Sequence, residues 1–378
     1  MPEPDNQKKE ITIFDRRYVK YFDWTSFFLT ITLSLIGLLF VFSATYKPDV
    51  PYSIFFKKQL FGTVSGLGIY FLCCTIDYRK ALQWGYVGYL IIIGLLVFTL
   101  IKGTIGMGGQ RWIGFGALRI QPSELVKLFF PAFLTYYFYT HRDYFENRWY
   151  DFIPILIPLL VSTILVLKQP DLGTAIVLLA TGLITLWFAG MDKKFFMYSG
   201  LCALLATPVL WHILKPYQKA RVTVFFGGGN TNKERYQIEQ AKIAIGSGGI
   251  TGKGFLQGTQ NKLRFIPAGQ TDLVFVVLCE EAGFIGALII LILYVMLFLR
   301  LFSIVQTIKP PDPKLFAAGL IIPIMLSALI NICMVLGLLP IVGIPLPFMT
   351  YGISHTWTTF ASLGIFAGIA IRRCYING

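Results

Sequence analysis

Seven polar residues beside or inside long apolar runs hold most of the chemistry in this sequence: Arg111, Gln121, Glu124, Lys127, Lys168, Asp171 and Asp272. An ionisable side chain in hydrocarbon costs free energy, so each needs a partner or a task. Asp272 stands out. It follows Pro267-Ala268-Gly269-Gln270-Thr271, opens an apolar run, and is the only acid in the second half of a polar stretch containing Lys253, Lys262 and Arg264. Cations so placed, with Lys242 and Arg111, would hold a polyphosphate headgroup through charge-assisted hydrogen bonds. One carboxylate at water depth would then take a proton from an attacking hydroxyl. Pyrophosphate leaves well once its charge is neutralised, so a single general base suffices where a glycosidase needs two carboxylates. Helix capping is the alternative role for Asp272.

The other acids have equally definite alternatives. Glu124 and Lys127 are three apart at the start of a helix and meet on one face. They are either an ion pair that holds the helix in its bundle or part of the substrate site. Asp171, between Gln169-Pro170 and Leu172-Gly173-Thr174, is placed both to cap the next helix and to face substrate. These residues point to a membrane enzyme acting on a lipid-linked pyrophosphate, without naming the sugar.

The elements that must position them are transmembrane helices. The chain of 378 residues is 55% hydrophobic and only 14% charged, too little charge to cover a soluble domain. Apolar runs of roughly 17 residues or more cross the roughly 30 Å hydrocarbon layer as helices. About ten are expected, near Trp24–Ala44, Leu60–Ile76, Tyr86–Ile101, Leu125–Thr140, Phe152–Leu167, Leu172–Ala189, Phe195–Ile213, Leu273–Val305, Leu315–Leu336 and Ile353–Ile371. The fold class is therefore an all-α integral membrane protein: a cytoplasmic tail over residues 1–20, then one polytopic domain over 21–378. The first run exceeds a signal-peptide core and is read as a retained helix.

The net charge of +14 does not form a nucleic-acid face. It sorts by side. With an even number of spans both termini lie together, on the side that collects Arg16, Arg17, Lys20, Arg79, Lys80, Lys193, Lys194, Arg300, Arg372 and Arg373. The positive-inside rule puts that side in the cytoplasm. The large loop between the seventh and eighth helices, about 214–271, is then extracytoplasmic, and its nine basic residues run against the rule. Binding a polyanion supplies the reason. Within it Tyr236–Ile245 has helical spacing, while Gly246-Ser247-Gly248-Gly249-Ile250-Thr251-Gly252-Lys253-Gly254 is expected to be irregular and lacks P-loop spacing. Cysteines and histidines have no metal-ligand spacing, so no metal site is expected from protein ligands.

At these motifs the sequence resembles the SEDS family (shape, elongation, division and sporulation), in its RodA branch, from about Trp24 to Arg372. The anchors are Asp77-Tyr78-Arg79, Gln110-Arg111-Trp112-Ile113, Gln121-Pro122-Ser123-Glu124, Gln169-Pro170-Asp171-Leu172-Gly173-Thr174, Gln240 through Gly249, Gly252-Lys253-Gly254, Gly258-Thr259-Gln260, Thr271-Asp272, Glu280-Glu281 and Gly337 through Pro347. The resemblance implies ten helices and peptidoglycan glycosyltransferase activity on lipid II, with undecaprenyl pyrophosphate released. It implies a catalytic aspartate at Asp272. Its partners would be a class B penicillin-binding protein and other elongation-machinery proteins, with no nucleic acid. A divalent cation, Mg²⁺ or Mn²⁺, at the pyrophosphate stays open; no other cofactor is expected. Two stretches depart from the family pattern: Pro267-Ala268-Gly269-Gln270 stands where Pro-Glu before a basic or His residue is usual, and Tyr351-Gly352-Ile353-Ser354-His355 replaces Tyr-Gly-Gly-Ser. A lipid II flippase and a non-catalytic scaffold are the rival readings. A flippase needs a polar path through the bundle, for which several of the expected spans offer almost no interior charge.

Overall fold

The computed structural model describes residues 20–106, 109–116, 118–141, 149–213, 216–228, 232–263, 265 and 269–376. The first three helices are α1 (Trp24–Thr45), α2 (Ile54–Thr75) and α3 (Tyr78–Lys102). Side chains define their starts, because the first backbone N–H groups of a helix have no partner within it. Asp23 accepts from Ser26 N, Ser53 from Phe56 N and Asp77 from Arg79 N. Asp23 also takes the Arg300 guanidinium at 2.6 Å, tying the start of α1 to a distant helix. Next come α4 (Pro122–Thr140), α5 (Ile153–Lys168), α6 (Leu172–Phe188) and α7 (Lys193–Ile213). After the long connecting segment the chain continues with α11 (Val274–Thr307), α12 (Pro311–Val335) and α13 (Ile353–Ile376).

Each of the ten apolar runs thus falls on a helix, α1 to α7 and α11 to α13. Among the described residues, five helical segments are long and apolar enough to cross a membrane on length and composition alone: Trp24–Thr45, Tyr78–Lys102, Tyr150–Lys168, Val274–Thr307 and Pro311–Val335. The chain is a multi-pass membrane protein. Its outer surface bears this out physically, since Val64 is 63% exposed, Leu72 69% and Leu299 66%. Such faces are stable against lipid, which offers the same apolar surroundings as a core. Inside, α12 and α13 are deeply enclosed, with Phe316, Leu320, Ile321 and Ile322 of α12 buried. Polar links fasten the helices where dispersion alone would leave their register loose. Trp357 Nε1 donates to Ser65 Oγ at 2.8 Å across α13 and α2, and Arg372 Nη2 donates to the Thr75 carbonyl at 2.7 Å.

Three features differ from the sequence expectation. Between α3 and α4 the chain forms a small antiparallel sheet, β1 (Thr104–Gly106), β2 (Gly109–Phe115) and β3 (Leu118–Ile120), in the order β1-β2-β3. The strands are too short and glycine-rich for an alternating pattern to announce them. The long loop contains α9 (Asn232–Gly248), where Tyr236–Ile245 has the expected helical spacing, and two helices not expected, α8 (Pro216–Phe225) and the single turn α10 (Thr259–Lys262). Finally, α11 is broken at Gly283, whose φ of +67° lies in the left-handed region. A Cβ there would come within 2.3 Å of Gly252 N, so only glycine fits. The backbone donors freed by the break bond to the glycine-rich run: Phe284 N to Gly249 O at 2.9 Å and Ile285 N to Ile250 O at 3.1 Å.

Candidate active site

Asp272 sits just before α11. It does not cap that helix: the N-cap position is Leu273, with no side-chain hydrogen bond. The capping alternative for Asp272 therefore has no geometric basis, and the carboxylate is directed elsewhere. Its backbone is fixed from below by Asn331 of α12, fully buried, whose Nδ2 donates to the Asp272 carbonyl at 2.9 Å and the Ile344 carbonyl at 2.6 Å. One amide thus clamps two loops together. Gly343, with φ +77°, faces the side chain; a Cβ there would lie 3.3 Å from Asp272 Oδ2. On the other side of this loop Gly173 of α6 packs so closely that a Cβ would meet the Val342 carbonyl at 3.0 Å.

The electrostatic surroundings of Asp272 come from three elements. Arg111 of β2 and Arg221 of α8 stabilise its ionised form, and Asp171 at the start of α6 disfavours it. Burial outweighs them and pushes the carboxyl up from 3.8 to about 6. At neutral pH it remains mostly ionised, with the basicity a general base needs.

Asp171 fills the capping role that the sequence left open and also pairs with polar neighbours. Its Oδ1 accepts from Thr174 N at 3.2 Å as the N-cap of α6. Its Oδ2 faces Arg111 Nη1 at 3.4 Å and accepts from Gln121 Nε2 at 2.7 Å. Arg111 is 20% exposed at its side chain and so is reachable by a ligand. The sheet explains how an arginine in a short extramembrane turn is held rigidly: β2 pairs with both β1 and β3.

The other expected residues spread around this centre. Lys242, on α9, is exposed and stands at the rim of an apolar groove lined by Val224, Ile238, Leu273, Met334 and Leu339. Leu273, the residue after Asp272, forms part of the groove's wall. Lys253 instead pairs at 2.7 Å with Glu280, whose side chain is fully buried, and donates to Thr259 Oγ1 at 2.8 Å. It anchors the glycine-rich run to α11. Lys262 is exposed at the end of α10. Arg264 and Ala268 lie outside the described residues. Glu124 and Lys127 form a buried ion pair at 2.8 Å within the bundle. Glu124 also accepts from His355 at 2.9 Å. The structure thus brings Asp272, Asp171 and Arg111 together, with Lys242 at the adjoining groove, and places Lys253, Lys262, Glu124 and Lys127 in other surroundings.

Two participants were not singled out by sequence. Arg221 was counted only among the loop's basic residues, because cations were chosen by proximity along the chain. It reaches Asp272 from roughly fifty residues away, once α8 forms. Asn331, an uncharged residue inside an apolar run, carries no signal of its partner. Among the described residues no three His, Cys, Asp or Glu side chains gather as a metal site.

The geometry agrees with comparisons to known proteins. The family model FTSW_RODA_SPOVE, described as a cell cycle protein, matches residues 23–374. The chain is 34% identical to the peptidoglycan glycosyltransferase MrdB of Escherichia coli K12, over 98% of each chain. It is 32% identical to the Helicobacter pylori protein of the same description, over 96% of this chain and 93% of that one. Among solved structures, a chain of a peptidoglycan synthase complex that coordinates polymerization and crosslinking superposes with a TM-score of 0.79 at 27% identity, covering 93% of this chain and 98% of that one. The rod shape determining protein RodA of Thermus thermophilus gives 0.68 at 26% identity, covering 93% and 97%.

Proposed function

The chain belongs to the FtsW/RodA/SpoVE family of cell cycle proteins, and from that membership we propose that it is a peptidoglycan glycosyltransferase of the RodA branch. It polymerises lipid II into glycan strands at the outer face of the plasma membrane during elongation. The observation that carries the reading is a carboxylate, Asp272, in the field of Arg111 and Arg221, with the following residue, Leu273, lining an apolar groove. That combination suits a substrate with an anionic headgroup and a hydrocarbon tail.

Asp272 takes the proton from the acceptor sugar hydroxyl. The resulting oxygen nucleophile attacks the anomeric carbon of a second lipid II, and the bond to undecaprenyl pyrophosphate breaks. Arg111 and Arg221 neutralise the charge that develops on the departing pyrophosphate, a role matched to the planar two-pronged guanidinium. Lys242 meets the phosphate from the groove's rim; Lys262 and Arg264 add to the field that draws an anion to this surface. Glu124, Lys127 and Lys253 support the site through buried pairing. A Mg²⁺ or Mn²⁺ ion accompanying the pyrophosphate would add to the charge neutralisation that Arg111 and Arg221 provide.

The same reading sets the topology. Ten helices cross the membrane, both termini are cytoplasmic, and α8 to α10 form the outer region that covers the site, in keeping with the distribution of Lys and Arg. The partner is a class B penicillin-binding protein that cross-links the emerging strand, as the likeness to a peptidoglycan synthase complex suggests. The test is direct: purified protein with labelled lipid II, alone and with its partner. Appearance of long glycan strands supports the reading; movement of lipid II across vesicles without strands would favour the flippase.

A further inference from the structure

His355 is the polar residue that the account so far leaves without a task. It lies in the first turn of α13, is 7% exposed, and contacts Glu124 through Nδ1 at 2.9 Å. Glu124 is already paired with the Lys127 ammonium, so the imidazole donates Nδ1–H to it, an assignment made from the hydrogen-bond network. The other nitrogen, Nε2, is buried without a protein partner. It borders a cavity of about 10 Å³ lined also by Lys127, Ser327, Thr358, Thr359 and Ser362. All four hydroxyls donate to carbonyls one helical turn back, at 2.7 to 2.9 Å. They therefore offer acceptors to the cavity, and Lys127 is its donor. That size and lining suit about one water molecule beside Nε2.

The next residue back makes the arrangement more than local. Ser354 Oγ accepts from Gln121 N at 3.1 Å and donates to the Arg119 carbonyl at 3.1 Å. Two consecutive residues of α13 thus grip the start of α4, Ser354 at its N-cap and His355 one turn in. The Gln121 side chain is what holds Asp171 at 2.7 Å, and Asp171 faces Arg111. A histidine inside a membrane bundle is costly, and a plain packing role would be filled more stably by an apolar residue.

We propose that His355 is a positioning residue of the transferase reaction: acting through Glu124, it fixes the first turn of α4 and so the placement of Gln121, Asp171 and Arg111 against Asp272. The inference rests on the transferase reading. It depends on the Nδ1 donor alone, which separates it from bulk or polarity. Asparagine places an N–H where Nδ1 stands, whereas glutamine reaches toward the Nε2 position.

The full-length protein is purified as wild type, His355→Leu, His355→Asn and His355→Gln, and lipid II polymerisation is measured across substrate concentration. Loss of the donor in His355→Leu is expected to lower kcat by about tenfold or more with little change in KM, as for a misplacement on the ångström scale. His355→Asn should recover most of that loss and His355→Gln should not. Polymerisation by His355→Leu at the wild-type rate overturns the inference, as does His355→Gln performing as well as His355→Asn. If His355→Leu does not fold, the comparison of the two amides decides by the same criterion. A wild type that makes no strands overturns the transferase reading, and this inference with it.

Discussion

The elevated pKa of Asp272 separates a catalytic carboxylate from a structural one, and does so on stability as well as on rate. A carboxylate retained for structure is hydrogen-bonded or paired, which lowers its pKa in the folded state. At Asp272 burial raises it from 3.8 to about 6 despite Arg111 and Arg221. The sign follows from proton linkage. The folded protein binds this proton more tightly than the unfolded chain, so folding is favoured below pH 3.8 and that advantage is lost as pH rises through about 6. Above pH 7 the buried charge costs at most about 3 kcal/mol, taking 1.36 kcal/mol per pH unit. Asp272→Asn removes the charge and keeps the shape. It should therefore unfold at a higher temperature than wild type at pH 8, and the gap should close by pH 4. Thermal unfolding of both proteins in detergent at pH 4, 6 and 8 measures this. A variant less stable than wild type at pH 8 would show a favourably paired carboxylate and refute the reasoning.

Other expectations follow from the same geometry. Polymerisation rate in wild type should fall about tenfold per pH unit below pH 6, because the base must be unprotonated; a flat profile to pH 5 would count against it. Arg221→Ala should raise the apparent pKa of the profile and slow turnover, while Arg221→Lys should keep the pKa nearer wild type but lose the two-pronged contact. An unmoved profile in Arg221→Ala would show that the arginine does not face the base. Asn331→Leu leaves two carbonyls without their donor and should destabilise by about 1–3 kcal/mol, with a loss of rate larger than the loss of folded protein. For topology, single cysteines at Lys262 and Lys80 in a cysteine-free chain should differ in labelling by an impermeant thiol reagent, with Lys262→Cys reactive from outside. The opposite pattern inverts the membrane orientation.

Much of this site was legible along the chain, and the limits have physical causes. Asp171 announced itself because an acid between a proline and an apolar run has few roles, and it caps the helix that follows. Asp272 was legible as the acid at the end of a basic loop. Its partners were less so, since Arg111 and Arg221 reach it through folding of the small sheet and of α8 rather than through sequence neighbours. Lys253 illustrates the converse. It is near Asp272 in sequence, yet the break at Gly283 carries it to Glu280. The helices were readable because an apolar run long enough to cross a bilayer has one stable form there. The strands of 104–120 were not, because so few residues carry no period. His355 reads as an isolated histidine until α13 and α4 pack and Glu124 comes within reach.

The central claim is that Asp272 is the general base. Its most direct test is strand synthesis from labelled lipid II by purified Asp272→Asn beside wild type, each shown to be folded and to bind the partner. Removal of a general base typically lowers the rate by about a hundred- to ten-thousand-fold, so the variant should make almost no strands while retaining its fold and its partner. Strand synthesis by Asp272→Asn at close to the wild-type rate would contradict the account.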